Sequence, residues 1–475
     1  VTFAFPDLKR PQYPSSPEIL LSSLAWSVIP RATAHRDTGL IYHSKQSRAR
    51  RKVRIEQTMP YGETLQGFLE QLSSSGMRVG AGEAPLFVAE AVAEALLGAQ
   101  PQKGVGMPSS AIGMAGALLQ DPVGGLAVAN PPNFAHLLNT MFKLGGNSDR
   151  TAAELWFEAA AAYASQRPLR VIEAALAATS LAPYLAGGWP PSAPEAAHNS
   201  LPDAIPQWWQ REVLGNQVRT PFSWFRTSWE RLCSPPWREV LPPRRWSSWA
   251  ICVLRNALGF GFLWESNFYF ELARGVADST REATTVARWA LRPTKPLVPH
   301  QQGGIAQMDV MPSIKQLLAK GLACRNAICK AATSLTSPPG SLAELLESLR
   351  RSDVRAIKAA LEGAGDTGGL SNLVETVRYS LLARGTPEVP DNSSLLRAVS
   401  RNYTHVIPGP EWIVVMAAMS AQAPSETVRL GDVRNALDDL GFKPRVDFLL
   451  TELERAGLCA SAPDGDEGIE LNLGF

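Results

Sequence analysis

Ten of the thirteen tryptophans in this 475-residue chain fall between Trp189 and Trp289, and no other feature restricts its folding as much. An indole is large and mostly apolar, so a stretch this rich in them must enclose the rings in a core or press them against a partner. The most apolar run of the sequence, Trp249 to Phe270, lies in the same block and is interrupted by Arg255 and Glu265. Two charges within such a run argue against a membrane span. Glycines at 259 and 261 suggest two helices here, Trp246 to Leu258 and Gly261 to Val276.

Proline clusters divide the rest. Pro190, Pro191, Pro194, Pro202 and Pro206 precede the tryptophan block; Pro293, Pro296 and Pro299 follow it; Pro387 and Pro390 mark a third break. Between them, apolar residues recur three and four apart over 64–72, 84–97, 109–119, 132–144, 151–165, 353–361 and 370–382, which predicts helices. Ser148 and Asp149 are candidate caps for the helix carrying Glu154. Ser341-Leu342-Ala343-Glu344 reads as a capping box in which hydroxyl and carboxylate each satisfy an orphan backbone donor. Alternation in Leu40-Ile41-Tyr42 and Val53-Arg54-Ile55 predicts a small hairpin. The expected fold class is therefore mostly α, a multi-domain helical protein with a small N-terminal β-hairpin. Its divisions are an irregular segment at 1–60, a helical domain at 61–188, the tryptophan-rich block at 189–292, a helical domain at 305–386 and a C-terminal module at 405–475.

In that module the elements follow a recognisable order. Glu411 to Ala421 is an apolar helix, Leu430 to Leu440 a second ended by Gly441, and Pro444 to Ala456 a third stopped by Gly457. Leu458-Cys459-Ala460 and Ile469-Glu470-Leu471 read as strands joined by a turn-rich tip. This succession resembles winged helix-turn-helix domains over about the last seventy residues. The resemblance implies a third helix that enters the DNA major groove and a wing that touches phosphate. The charges disagree with that role: Ser425 to Phe475 holds eleven acidic side chains against five basic ones, and the wing tip carries Asp464, Asp466 and Glu467. Phosphate contacts depend on cations that release condensed counterions, so the module reads as a docking or structural surface.

Nucleic acid is better sought at the other end. Lys45, Arg48, Arg50, Arg51, Lys52 and Arg54 stand together with no acid between Asp37 and Glu56, the densest basic run in the chain. The alternative is a solvated hairpin tip or a patch that meets an acidic partner. A second constellation interleaves cation and ring: Trp237 with Arg238, and Arg244 and Arg245 with Trp246. Unpaired bases stack on surfaces of this composition, but large rings are more often core, and Arg over Trp is a common structural pair.

Catalytic signatures are missing from the sequence. There is no phosphate-binding Gly-Lys loop and no nucleophilic-serine elbow, and Gly363 to Gly368 follows a helix where a dinucleotide loop needs a strand. Cys324 and Cys329 are five apart, about 140° around a helix, which is wrong for a metal pair. Glu265 and Glu271 are expected at a solvated helix surface. No catalytic residue, cofactor or metal ligand is assigned.

Charged residues make up 19% of the chain, below the usual ~25%, which fits either surface buried against partners or one large core. Five cysteines form no disulfide framework, and Val1 to Pro6 lacks a secretory pattern; a cytoplasmic protein is expected. The reading is a non-catalytic subunit of a multiprotein, nucleic-acid-associated assembly, with other protein subunits as partners, DNA or RNA at 43–54, and no membrane. By analogy of architecture such a chain looks like an accessory subunit of nucleic-acid-processing or phage-defence complexes. An autonomous nucleic-acid-binding protein or regulator is the alternative, and an enzyme of unrecognised type the next.

Overall fold

The structure, a computed structural model, describes residues 8–11, 14, 17–28, 43–49, 52–58, 134–164, 205–299 and 308–474, apart from 334, 336–337, 353, 364, 366, 386–389 and 460–467. The helices expected at 64–72, 84–97 and 109–119, the strand at 40–42, Arg50, Arg51 and the acidic tip at 464–467 lie outside the described residues.

The described chain is mostly helical. Helix α1 (Glu18–Val28) is followed by strands β1 (His43–Ala49) and β2 (Lys52–Thr58), which pair antiparallel. Next come α2 (Phe134–Leu144), α3 (Ala152–Ala164) and a turn of helix α4 (Gln207–Trp209) that widens into a π-helical turn at Gln210–Leu214. Helices α5 (Pro221–Cys233), α6 (Pro235–Val240), α7 (Pro243–Ala277) and α8 (Ala283–Leu291) form the tryptophan-rich block. After them stand α9 (Met311–Ala332), α10 (Leu342–Arg350), α11 (Arg355–Leu361) and α12 (Leu370–Leu381). A hairpin of β3 (Leu396–Ala398) and β4 (Thr404–Val406) leads into α13 (Pro410–Ala418), β5 (Val428–Arg429), α14 (Leu430–Asp439), α15 (Val446–Arg455) and β6 (Glu470–Leu471).

Helix α7 is the axis of the molecule. It runs for 35 residues, and every residue from Trp249 to Ser266 is buried. A helix apolar on all sides is stable only when other elements cover every face. Helices α1, α2, α5, α8, α9, α10, α11, α12 and α13 all pack on it. The expected break at the glycines does not occur, because Gly259 and Gly261 are sites of close approach. A Cβ at Gly259 would lie 2.7 Å from Leu381 Cδ2 of α12, and one at Gly261 would lie 2.9 Å from Met141 Cε of α2. Glycine there costs about 1 kcal/mol of helix propensity and lets two neighbours close on the axis.

The two charges within the apolar run are buried and paired. Arg255 donates from Nε to Ser380 O at 2.8 Å, from Nη2 to Leu382 O at 2.9 Å and from Nη1 to Asp391 Oδ1 at 2.8 Å. Asp391 also accepts the backbone N–H groups of Arg384 and Ser393. Burial raises the Asp391 carboxyl, but the Arg255 guanidinium and these hydrogen bonds outweigh it and hold the group below the ordinary aspartate range. Glu265 is 2% exposed and lies between Arg10 Nη1 at 3.0 Å and Arg325 Nε at 3.5 Å. The solvated surface expected for Glu265 is therefore replaced by a buried position in which α7 meets the N-terminal segment and α9. A charge survives there only with partners at this distance.

Indole N–H groups join the elements around this axis. Trp209 donates to Leu144 O, Trp229 to Ala152 O, Trp246 to Leu232 O, Trp264 to Leu291 O and Trp412 to Asn256 Oδ1, at distances from 2.8 to 3.2 Å. Trp156 stacks on Trp246 with centroids 3.8 Å apart. Each ring buries apolar area while its polar edge reaches the backbone or an amide of another element. One contiguous buried cluster extends from Leu8 to Leu471, so the segments that composition separates contribute side chains to a shared interior.

Two caps differ in detail from expectation. The cap of α3 is Thr151: its hydroxyl accepts from Glu154 N at 3.2 Å, and Glu154 Oε2 accepts from Thr151 N at 2.7 Å, so the reciprocal box sits on Thr151 and leaves Ser148 and Asp149 outside. Ser341 does cap α10 through Glu344 N, but the Glu344 carboxylate accepts from Gly340 N instead of the cap's own N–H.

Removing one partner of the Arg255 pair strands a buried charge. Asp391→Ala is expected to lower the unfolding free energy by about 3–5 kcal/mol in urea titration. Its stabilising contribution is present above the ordinary aspartate range and disappears as pH falls through the depressed folded value. A loss under about 1 kcal/mol would show that the pair does not anchor α7.

Candidate functional site

A cleft of about 600 Å³ opens where the C-terminal module meets the helical body. Its walls are α5, the π-helical turn with the loop after it, and one face of α14. The chain departs from regular geometry here. Gly215 N and Val218 N donate five residues back, to Gln210 O at 2.9 Å and Val213 O at 2.8 Å. Gln217 stands at φ 51°, a left-handed conformation that non-glycine residues rarely hold. A π turn and a strained residue together often mark a functional site.

Four charged groups reach this cleft. Arg219 Nη1 lies 3.6 Å from Asp439 Oδ2, and Arg231 donates to Met419 O, the carbonyl just past α13. Asp432, Asn435 and Asp439 line it from α14, spaced three and four apart on one helical face. Burial pushes the Asp439 carboxyl up to about 6, with the Asp438 charge adding to the rise and Arg219 and Arg292 opposing it. Trp224, 5% exposed, also lines the cleft, and its indole N–H is buried without an acceptor. Two guanidinium groups against two carboxylates leave the cleft nearly balanced in charge, which suits a polar protein segment better than a polyanion. Among the described residues no His, Lys or Cys lines it. Among the described residues no group of three His, Cys, Asp or Glu side chains is placed to hold a metal ion.

The residues singled out from sequence stand elsewhere. Lys45 and Arg48 are on β1 and Lys52 and Arg54 on β2, where Lys45 faces Glu56 in register, Ser47 faces Arg54 and Ala49 faces Lys52. The ring-and-cation pair at 237–246 separates into interior and surface. Trp237 and Trp246 are 0% and 1% exposed, and their N–H groups are taken by Gln422 O and Leu232 O. Neither ring is available to stack on a base, so the surface left there is Arg238, Arg244 and Arg245. Arg238 lines a second cleft with Arg150, Arg226, Glu158 and Glu230. The cleft residues Arg219, Trp224 and Asp439 carry no signal that sequence reading could have used, since they meet only in space.

No protein-family model, curated protein or solved structure matches this chain. No helix among the described residues is long and apolar enough to cross a membrane.

The raised Asp439 carboxyl has a thermodynamic consequence. The folded group keeps its proton to about pH 6, whereas the reference value is 3.8. Its favourable contribution is therefore complete below about pH 4 and is lost as pH rises through about 6. Asp439→Asn is expected to abolish that decline and to raise stability at pH 8 by ~2 kcal/mol, read as the shift in urea midpoint between pH 4 and 8. An identical pH slope in wild type and variant would refute the assignment.

Proposed function

We propose that this chain is a non-catalytic docking subunit of a multiprotein, nucleic-acid-associated assembly, and that its C-terminal module is a winged-helix-like unit turned to protein contact. The element order supports the unit: α13, β5, α14, α15, then β6 returning to pair with β5 through Val428↔Leu471 and Arg429↔Glu470. Asn472 N also donates to Leu458 O at 2.7 Å, at the place where a middle strand would join.

The observation that carries the docking role is the state of the module's cations. Arg429 pairs with Glu470 at 3.5 Å, Lys443 with Asp438 at 3.1 Å, Arg445 with Asp447 at 2.8 Å and Arg455 with Glu452 at 2.8 Å. Exposed pairs like these add little stability, roughly 0–1 kcal/mol each. Their importance is to the field, because a phosphate approaching α15 would have to compete with a carboxylate already in place for each of these four cations. The rest of the module is fastened to the body: Glu411 accepts the Trp249 N–H, Leu297 N donates to Gly441 O, and Trp412 reaches Asn256 of α7. A unit held this way presents a fixed surface, which suits docking.

Purified from its source with a tag, the full chain is expected to co-elute with a stoichiometric partner on size exclusion, and Asp447→Lys with Glu454→Lys to release that partner without lowering the melting temperature. Elution as a lone monomer would overturn the proposal. Duplex binding that falls about tenfold in Lys443→Ala with Arg445→Ala, with a shallower salt dependence, would make the module a DNA reader instead.

A further inference from the structure

The β3–β4 hairpin is the one place among the described residues where exposed ring and unengaged cation stand together on a fixed turn. Every residue from Arg397 to Tyr403 is exposed. Among the described residues Tyr403, at 57%, is the most exposed large hydrophobic side chain, and Val399 follows at 48%. Arg397 and Arg401 enter no ion pair, in contrast to Arg10, Arg255 and Arg325 in the interior. The sequence carries no acid from Asn392 to Pro410.

The tip is held rigidly. Val399 N donates to Tyr403 O at 3.0 Å, and Ser400 Oγ accepts from both Asn402 N and Tyr403 N at 3.3 Å. Its base is fastened to α9: Thr404 N donates to Asp309 Oδ1 at 3.0 Å, Asp309 also accepts from Met311 N, and Val310 N donates to Thr404 O. The Asp309 carboxylate accepts both backbone donors on one oxygen, Oδ1. A large aromatic left in water on an ordered turn, with two guanidinium groups outside any ion pair on the same hairpin, is the arrangement in which bases stack and phosphates are neutralised.

We infer that the Arg397–Tyr403 tip is a contact for single-stranded nucleic acid, with Tyr403 stacking on a base and Arg397 and Arg401 meeting flanking phosphates. A protein partner fits less well, since Val399 and Met308 are the other exposed apolar side chains nearby in sequence or through the Asp309 link, and scattered apolar residues of this kind do not make a protein-binding patch. The inference rests on the nucleic-acid part of the proposed function and deepens it, assigning the contact to residues 397–403 in place of 43–54.

Fluorescence anisotropy of the full chain with a labelled oligothymidylate and a labelled oligouridylate tests it. Tyr403→Ala is expected to weaken binding about 5- to 100-fold, and Tyr403→Phe to preserve it, because stacking needs the ring and not the hydroxyl. Arg397→Ala with Arg401→Ala is expected to reduce the slope of log affinity against log salt by about 1.4, two single-strand phosphates at roughly 0.7 each. All three side chains are exposed, so unchanged melting temperatures are expected and separate a lost contact from a lost fold. Absence of oligonucleotide binding at low salt overturns the inference, as does binding that neither variant alters. Loss of a co-purifying chain in Tyr403→Ala with oligonucleotide affinity unchanged would also overturn it and assign the tip to protein docking. None of these results bears on the docking surface of the C-terminal module, which stands or falls on its own partner.

Discussion

A buried helix that carries two charges is the condition on which the rest of this molecule depends. An apolar α7 could be covered by any set of apolar faces. Arg255 and Glu265 restrict that choice, because each must find its counter-charge and hydrogen bonds in fixed places. Arg255 selects the end of α12 and the turn at Asp391, and Glu265 selects Arg10 and Arg325. The pairs therefore specify which elements lie beside which turn of the axis. Apolar packing supplies the larger share of the free energy but much less of that selectivity.

The same reasoning explains what could be read before the structure. Helical periodicity, the stops at Gly441 and Gly457 and the burial of tryptophan are local or compositional properties, and the described helices α10 to α15 stand close to where those patterns put them, whereas the 22-residue α9 has no counterpart among the helices expected from sequence. The run from Trp249 to Phe270 already showed its two charges. Their burial was not legible, because it depends on Asp391, Arg10 and Arg325, which are distant in sequence. Gly259 and Gly261 misled for the same reason. Their conformational cost is local and visible, whereas the close approach of Leu381 and Met141 that offsets it is a property of the packed state. The cleft at Arg219 and Asp439 is wholly tertiary, and no motif announces it.

The charge of the C-terminal module was visible as a count, but the structure gives the count a geometry. Eleven acids could have been spread so as to leave α15 positive. Instead, four of the cations in and around α14 and α15 lie within 3.5 Å of a carboxylate. Trp412 and Trp249 fix this unit to the body through hydrogen bonds to Asn256 and Glu411. What remains is a rigid, charge-compensated face, and its specificity would come from complementary shape and charge on a partner.

Arginine use across the chain separates structural from available cations. Arg350 donates to the carbonyls of Gly275, Asp278 and Arg281 and so joins α10 to the end of α7. Arg255 does the same for α12, and Arg231 for the end of α13. These side chains have spent their donors on the fold, and basic content in the tryptophan-rich block is consequently a poor measure of ligand affinity. The relevant quantity is how many guanidinium groups remain uncommitted beside a surface that could use them. By that measure the modest pair at Arg397 and Arg401, standing beside an exposed Tyr403, outweighs the set around Trp237 and Trp246, where Arg244 and Arg245 are exposed but both rings are buried. A ring that folding leaves in water gains nothing from the core, and its stacking face stays free for a ligand.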